Sequence, residues 1–166
     1  MTIAAAGARI ATEPSGRPQI ALALNPAKAY VAAVELSLKR LSVSVSDYAG
    51  NMVREHAETF NTGTTDPVDF IARMSSAIRQ CAEPGASQLS AIVVAVQGRT
   101  DAKSRNLLWS PIAPGRDLQL ADILETEFGA PVTVANDCSM IAAALRWQNS
   151  DRYGRDFLAV LLSHGI

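Results

Sequence analysis

Apolar and polar residues alternate strictly along LSVSVSD at 41–47: Leu41, Val43 and Val45 face one way, Ser42, Ser44 and Ser46 the other. A period of two marks a strand with one buried face. The turn-rich DYAGN at 47–51 makes it the first arm of a hairpin, with MVREHAETF at 52–60 as the second. Upstream, YVAAVEL at 30–36 is almost continuously apolar and suits a buried strand. PQIALALN at 18–25 offers a shorter strand with its proline at the edge. The period then changes. Asp66 suits a helix cap, Pro67 fits the first turn, and Phe70, Ile71, Met74 and Ile78 form an apolar stripe. AIVVAV at 91–96 has the composition of a central strand covered on both faces. A loop runs from Gln97 to the region of Asp117, with a short strand in NLLW. Leu120, Ile123, Leu124 and Phe128 mark a second helix, closed by Gly129 and followed by Pro131. Strand VTVA, a third helix after Asn136-Asp137 and strand FLAVLL at 157–162 complete the chain.

The resulting order is β-β-β-α-β-α-β-α-β, an α/β architecture in which a meander opens a mixed sheet and strand–helix alternation adds mostly parallel strands. Residues 1–17 are small, polar and punctuated by Gly and Pro, and read as a tail or linker remnant; 18–166 then form one lobe. Only SHGI follows the final apolar run. A central strand normally feeds another element, so the chain reads as part of a larger protein.

Composition narrows the classes. With 166 residues, 48% of them apolar, one domain with a sizeable core is expected. A formal net charge of −1 leaves no electrostatic footprint for nucleic acid or an anionic membrane. No stretch approaches the roughly 18 apolar residues of a spanning helix. MTIAAAGARIATEP has no basic start before an apolar run, so it does not read as a secretory signal. Cys81 and Cys138 form no pair spaced for zinc. A reduced, cytoplasmic protein is the expectation.

Five segments in order, GRPQIALALNPAKAYVAAVELS, VVAVQGRTDA, LLWSPIAP, GAPVTVANDC and FLAVLLSHGI, resemble the first half of the ROK family. That family joins bacterial sugar-responsive repressors to sugar kinases on a ribonuclease H-like, actin/hexokinase-type ATPase fold. The resemblance runs from Gly16 to the last residue. It implies a missing second half, which carries further sugar contacts and usually a zinc site. A regulator's DNA-binding helix-turn-helix would also lie elsewhere; in such regulators a segment like Gly16-Arg17-Pro18 follows the winged helix.

Kinases of this fold hold ATP phosphates partly with an Asp-x-Gly-Gly-Thr turn, whose glycines let backbone N–H groups curl around phosphate oxygens. Here the matching stretch is Glu35-Leu36-Ser37-Leu38-Lys39-Arg40. Ser37 and Leu38 replace both glycines, and Leu38 resists positive φ and would crowd a nucleotide. Lys39 and Arg40 read as solvated charges on a hairpin turn. No cofactor is expected in this chain. His164, in Ser163-His164-Gly165, departs from the small or hydroxyl residue of the second phosphate turn. A Ser163–His164–Asp137 hydrolase is rejected, because adjacent strand side chains point to opposite faces.

Asn and Asp are preferred helix caps, which is the structural reading of Asn136-Asp137. The resemblance adds sugar contact for both residues, with capping as a further task for one. In a kinase Asp137 would be the base toward the attacking hydroxyl. Without a positioned phosphoryl donor that role lapses, so no catalytic residue is assigned. Gly98 is the third ligand-wall residue, against an ordinary turn role. Ile112 stands where the family often carries Asn beside the ligand. Trp109 suits the core more than a sugar face, and Cys138 a small packed residue more than a thiolate. The expectation is therefore a non-catalytic, sugar-sensing lobe of a dimeric ROK-type regulator. A divergent sugar kinase and a degenerate dimerisation or interaction module are the rivals.

Overall fold

The computed structural model describes residues 3–5, 22–59, 61–83, 89–113 and 117–162. A meander of three antiparallel strands, β3 (Tyr30–Leu36), β4 (Arg40–Asp47) and β5 (Met52–Thr59), opens the main sheet. β6 (Leu89–Val96) then pairs parallel to β3, and β9 (Val132–Asn136) parallel to β6. The spatial order is β5-β4-β3-β6-β9. Two smaller ribbons accompany it: β1 (Ile3–Ala5) with β2 (Leu22–Leu24), and β7 (Arg99–Thr100) with β8 (Leu107–Trp109). β1 lies inside the segment expected to be a tail. Gly16, Arg17 and Pro18 are outside the described residues, as are Ser163, His164 and Gly165.

Alternation in β4 is realised as expected: Leu41, Val43 and Val45 are buried and the serines only half-covered. Its hairpin tip is held by Asp47, whose Oδ1 accepts from the Ala49 and Asn51 amides at 2.9 Å each. Gly50 takes the left-handed conformation that the turn requires, with φ of 87°.

Helix α1 (Pro67–Ala82) starts where its cap residue predicts, with Val68 N–H donating to Asp66 Oδ1 at 2.9 Å. Phe70, Met74 and Ile78 are buried against β3 and β4. Helix α2 (Leu120–Phe128) buries Leu120 and Leu124, and Gly129 closes it in the left-handed conformation. Both helices cover one face of the sheet, the face of Val34, Val43, Ile92 and Val134.

Two expectations fail here. β6 is not covered on both faces: Ile92, Val94 and Val96 are buried, whereas Ala91, Val93 and Ala95 are half-buried. On β3 the corresponding Ala33 and Glu35 are exposed. Small and apolar residues satisfy either face of a strand, so composition alone did not distinguish one covering layer from two. Secondly, residues 157–162 form no strand, and Leu158 is 87% exposed. A strand needs a free hydrogen-bonding edge as well as an apolar run. The outer edge of β9 is already engaged, since Val134 N–H donates to Ser104 O at 2.7 Å.

Candidate functional site

Parallel pairing brings three strand ends level. Leu36 lies opposite Val96, and Val96 opposite Asn136. The Ser37–Lys39 turn, Gln97-Gly98 and Asn136-Asp137 therefore stand side by side at the carboxyl edge, the usual place for a ligand crevice in an open α/β sheet. All three predicted wall residues, Gly98, Asn136 and Asp137, meet there.

The capping question is answered in favour of Asn136. Its Oδ1 accepts from Ser139 N–H at 3.1 Å and caps α3 (Asp137–Gln148), while its Nδ2 donates to Gly98 O at 2.8 Å. Asp137 is the first helical residue, partly buried, and accepts from Cys138 N–H at 2.8 Å through Oδ1. Its other carboxylate oxygen has no hydrogen-bond partner among the described residues. A carboxylate in the first turn of a helix also faces the positive end of the macrodipole.

Gly98 is more than an ordinary turn residue. At φ of 148° a Cβ would lie 2.3 Å from Trp109 O, so no side chain fits. Ser110, fully buried, donates from its hydroxyl to Gln97 O and accepts from Ile112 N–H at 3.1 Å. Gln97 N–H in turn donates to Leu36 O at 3.2 Å. The outer loop is anchored by charge. Arg105 reaches Asp122 and Glu125 at 2.6 Å each, and Glu125 also accepts from Val132 N–H at 3.0 Å. The Arg105 hydrogen bonds hold the Glu125 carboxyl down at about 2 and raise the guanidinium's own pKa. Backbone N–H groups of Arg105 and Asn106 likewise lower Asp101.

The β3–β4 turn is tight, with Ser37 N–H donating to Arg40 O at 2.9 Å. Thr62, fully buried, pins it: its N–H donates to Leu38 O at 2.9 Å, and its hydroxyl reaches Ser37 O and Leu38 O at 3.1 and 3.0 Å. Leu38 sits against Gly63, whose added Cβ would be 3.3 Å from Leu38 Cδ2. Among the described residues Ser104 alone has positive φ without being glycine, so Leu38 and Lys39 form no left-handed nest. What the turn directs toward Thr62 is carbonyl oxygen, which repels an anion. A cavity of about 360 Å³ opens beside it, between Gly63–Pro67 and Ile112-Ala113.

Ile112 is almost fully buried in the core, and its N–H is used by Ser110. Trp109 corrects the expectation of a core aromatic: it is 58% exposed, because Leu107 takes the buried position of β8. Cys81 is buried, which pushes its thiol up. Cys138 is half-buried, with Sγ 3.5 Å from Ala159 O. Thr62 and Ser110 were not singled out from the sequence. Their polar identity beside the turn-rich NTGTT and within SPIAP was the available signal, but hydroxyls in such loops are usually solvated.

Sheet order, helix placement and the crevice at the strand ends define an actin/hexokinase-like ATPase fold. The ROK family model matches residues 31–166, and the chain belongs to the ROK family. A ROK family transcriptional regulator, a homologue of the E. coli MLC protein, superposes with a TM-score of 0.65 at 22% identity, covering 79% of this chain and 33% of that one. A ROK family glucokinase from Streptomyces griseus, in complex with glucose and AMPPNP, superposes with a TM-score of 0.60 at 22% identity over 76% of this chain and 38% of the other. In sequence, 76 residues are 33% identical to the uncharacterized protein YphH of Escherichia coli K12, 45% of this chain and 19% of YphH. The chain thus spans a fifth to two fifths of these relatives. Among the described residues no helix is long and apolar enough to cross a membrane.

Proposed function

We propose that this chain is the ligand-sensing lobe of a ROK-type transcriptional regulator, and that it binds a sugar or sugar derivative without phosphorylating it. Asp137, Asn136 and Gly98 form the ligand wall. A carboxylate with a free oxygen accepts from sugar hydroxyls whether or not chemistry follows. The observation that carries the non-catalytic reading is the Thr62-pinned turn: Ser37 and Leu38 present carbonyls to Thr62 where a phosphate cradle needs N–H groups. Effector binding would alter closure of the complete protein, a homodimer, and so its operator affinity through a helix-turn-helix outside this chain.

A kinase reading has one observation in its favour. The fold likeness extends to a glucokinase that holds glucose and AMPPNP, and Asp137 would then act as base. ATP titration by calorimetry and a phosphoryl-transfer assay over a panel of hexoses distinguish the two. The sensor reading expects no ATP heat, no sugar phosphate, and sugar-induced operator release that Asp137→Ala abolishes. Turnover lost in Asp137→Asn would overturn it.

A further inference from the structure

Asn136 has little left to offer a ligand. Its Oδ1 is engaged by Ser139 N–H at 3.1 Å, and its Nδ2 by Gly98 O at 2.8 Å. Turning the amide toward a bound molecule would break the cap of α3 and the bond to Gly98 together. Asp137, one residue on, keeps a carboxylate oxygen without a partner among the described residues.

Residues 97 and 98 are held from three directions. Gln97 N–H donates to Leu36 O at the end of β3, the buried Ser110 hydroxyl donates to Gln97 O, and Asn136 donates to Gly98 O from the end of β9. Contact is direct on the fourth side, where Gly98 lies against the Trp109 carbonyl with no room for a Cβ. Ser110 is fully buried and cannot touch a ligand in the crevice. Its hydroxyl links Gln97 to Ile112 and thus joins the turn to the wall of the 360 Å³ cavity. A turn that only reversed the chain would not need to be fixed by three separate elements. A turn that forms a ligand wall does, because each freedom left in the wall must be lost on binding.

We propose that Asn136 and Ser110 are positioning residues: together they clamp the Gln97-Gly98 turn beside Asp137, and Asp137 meets the ligand. This rests on the reading of the crevice as a ligand site, and its test separates the two.

Ser110→Ala removes the hydroxyl. Asn136→Asp keeps a cap acceptor of equal quality but removes the N–H toward Gly98. In the intact protein, amide hydrogen exchange reads the clamp without any ligand. Loss of one hydrogen bond corresponds to about tenfold in a local opening equilibrium. Exchange at Gln97 and Ile112 is therefore expected to quicken about tenfold in Asn136→Asp, with Ser139 still protected. Combining it with Ser110→Ala should quicken Gln97 by less than the product of the two single effects. Unchanged exchange at Gln97 and Ile112, or full multiplicativity, overturns the clamp. D-glucose is the ligand probe. Ser110→Ala is expected to weaken its binding about tenfold, with the melting temperature little changed and kinetics of association retained. Undiminished affinity alongside quickened exchange overturns the positioning role. Exchange as expected in a protein that takes up no D-glucose supports the clamp and counts against the ligand reading.

Discussion

The side-chain nitrogen of Asn136 stands 2.8 Å from the carbonyl oxygen of Gly98, residues 38 apart in sequence. One amide thereby caps a helix and ties the ends of two parallel strands. Removing it should cost more than a cap. Asn136→Ala is expected to lower stability by about 1–3 kcal/mol, combining the cap with one buried-side hydrogen bond. Urea unfolding checks it, and Asn136→Asp should lose clearly less.

Gly98→Ala should be the most damaging glycine substitution among the described residues. Its Cβ would meet Trp109 O at 2.3 Å, whereas a Cβ at Gly50 or Gly129 meets nothing within 4 Å. Those two pay only for positive φ, roughly 1 kcal/mol. Gly98→Ala adds a backbone clash and is expected to exceed about 2 kcal/mol. Melting temperatures of the three variants, measured side by side, give the ranking.

Thr62 is the support beneath the altered phosphate turn. Thr62→Val keeps the shape and leaves the Ser37 and Leu38 carbonyls short of a donor, for an expected loss of about 1–3 kcal/mol. Restoring glycines alone, as in Ser37→Gly with Leu38→Gly, should not create ATP binding, because Thr62 and Gly63 still occupy the space beneath the turn. Calorimetric titration with MgATP is the check.

Glu125 sets an acid limit on the loop anchor. Its carboxyl is held at about 2 in the folded protein, against an ordinary 4.5. A depressed folded-state value stabilises fully above the ordinary value, and the contribution disappears as pH falls through about 2. Glu125→Gln should therefore be less stable than the parent at neutral pH, with the gap closing between about pH 4.5 and 2. Unfolding midpoints along an acid series test both the sign and the window.

Much of the fold was legible because local chemistry and tertiary placement agree. Leu41, Val43 and Val45 alternate with serines in a strand that has one covered face, and Asp66-Pro67 opens α1 with the cap its sequence announces. The residues of the crevice could also be located, since Asn136-Asp137 marks a strand-to-helix junction wherever it occurs. Their division of labour could not. Asn and Asp both cap helices and both bind hydroxyls, and only the position of Gly98 O decides which side chain is already engaged.

The sequence by itself determined the period of each element, its caps and turns, and the loss of glycines from the first hairpin. These are near-neighbour properties, set by residues a few positions apart. Tertiary structure alone decided that β6 has one well-covered face, that 157–162 finds no strand edge, and that Thr62 and Ser110 are buried pins rather than solvated hydroxyls. Such outcomes depend on which backbone groups of distant segments remain unpaired once the sheet is assembled. No local pattern encodes that remainder, because a carbonyl seeks whatever donor the packing brings within reach.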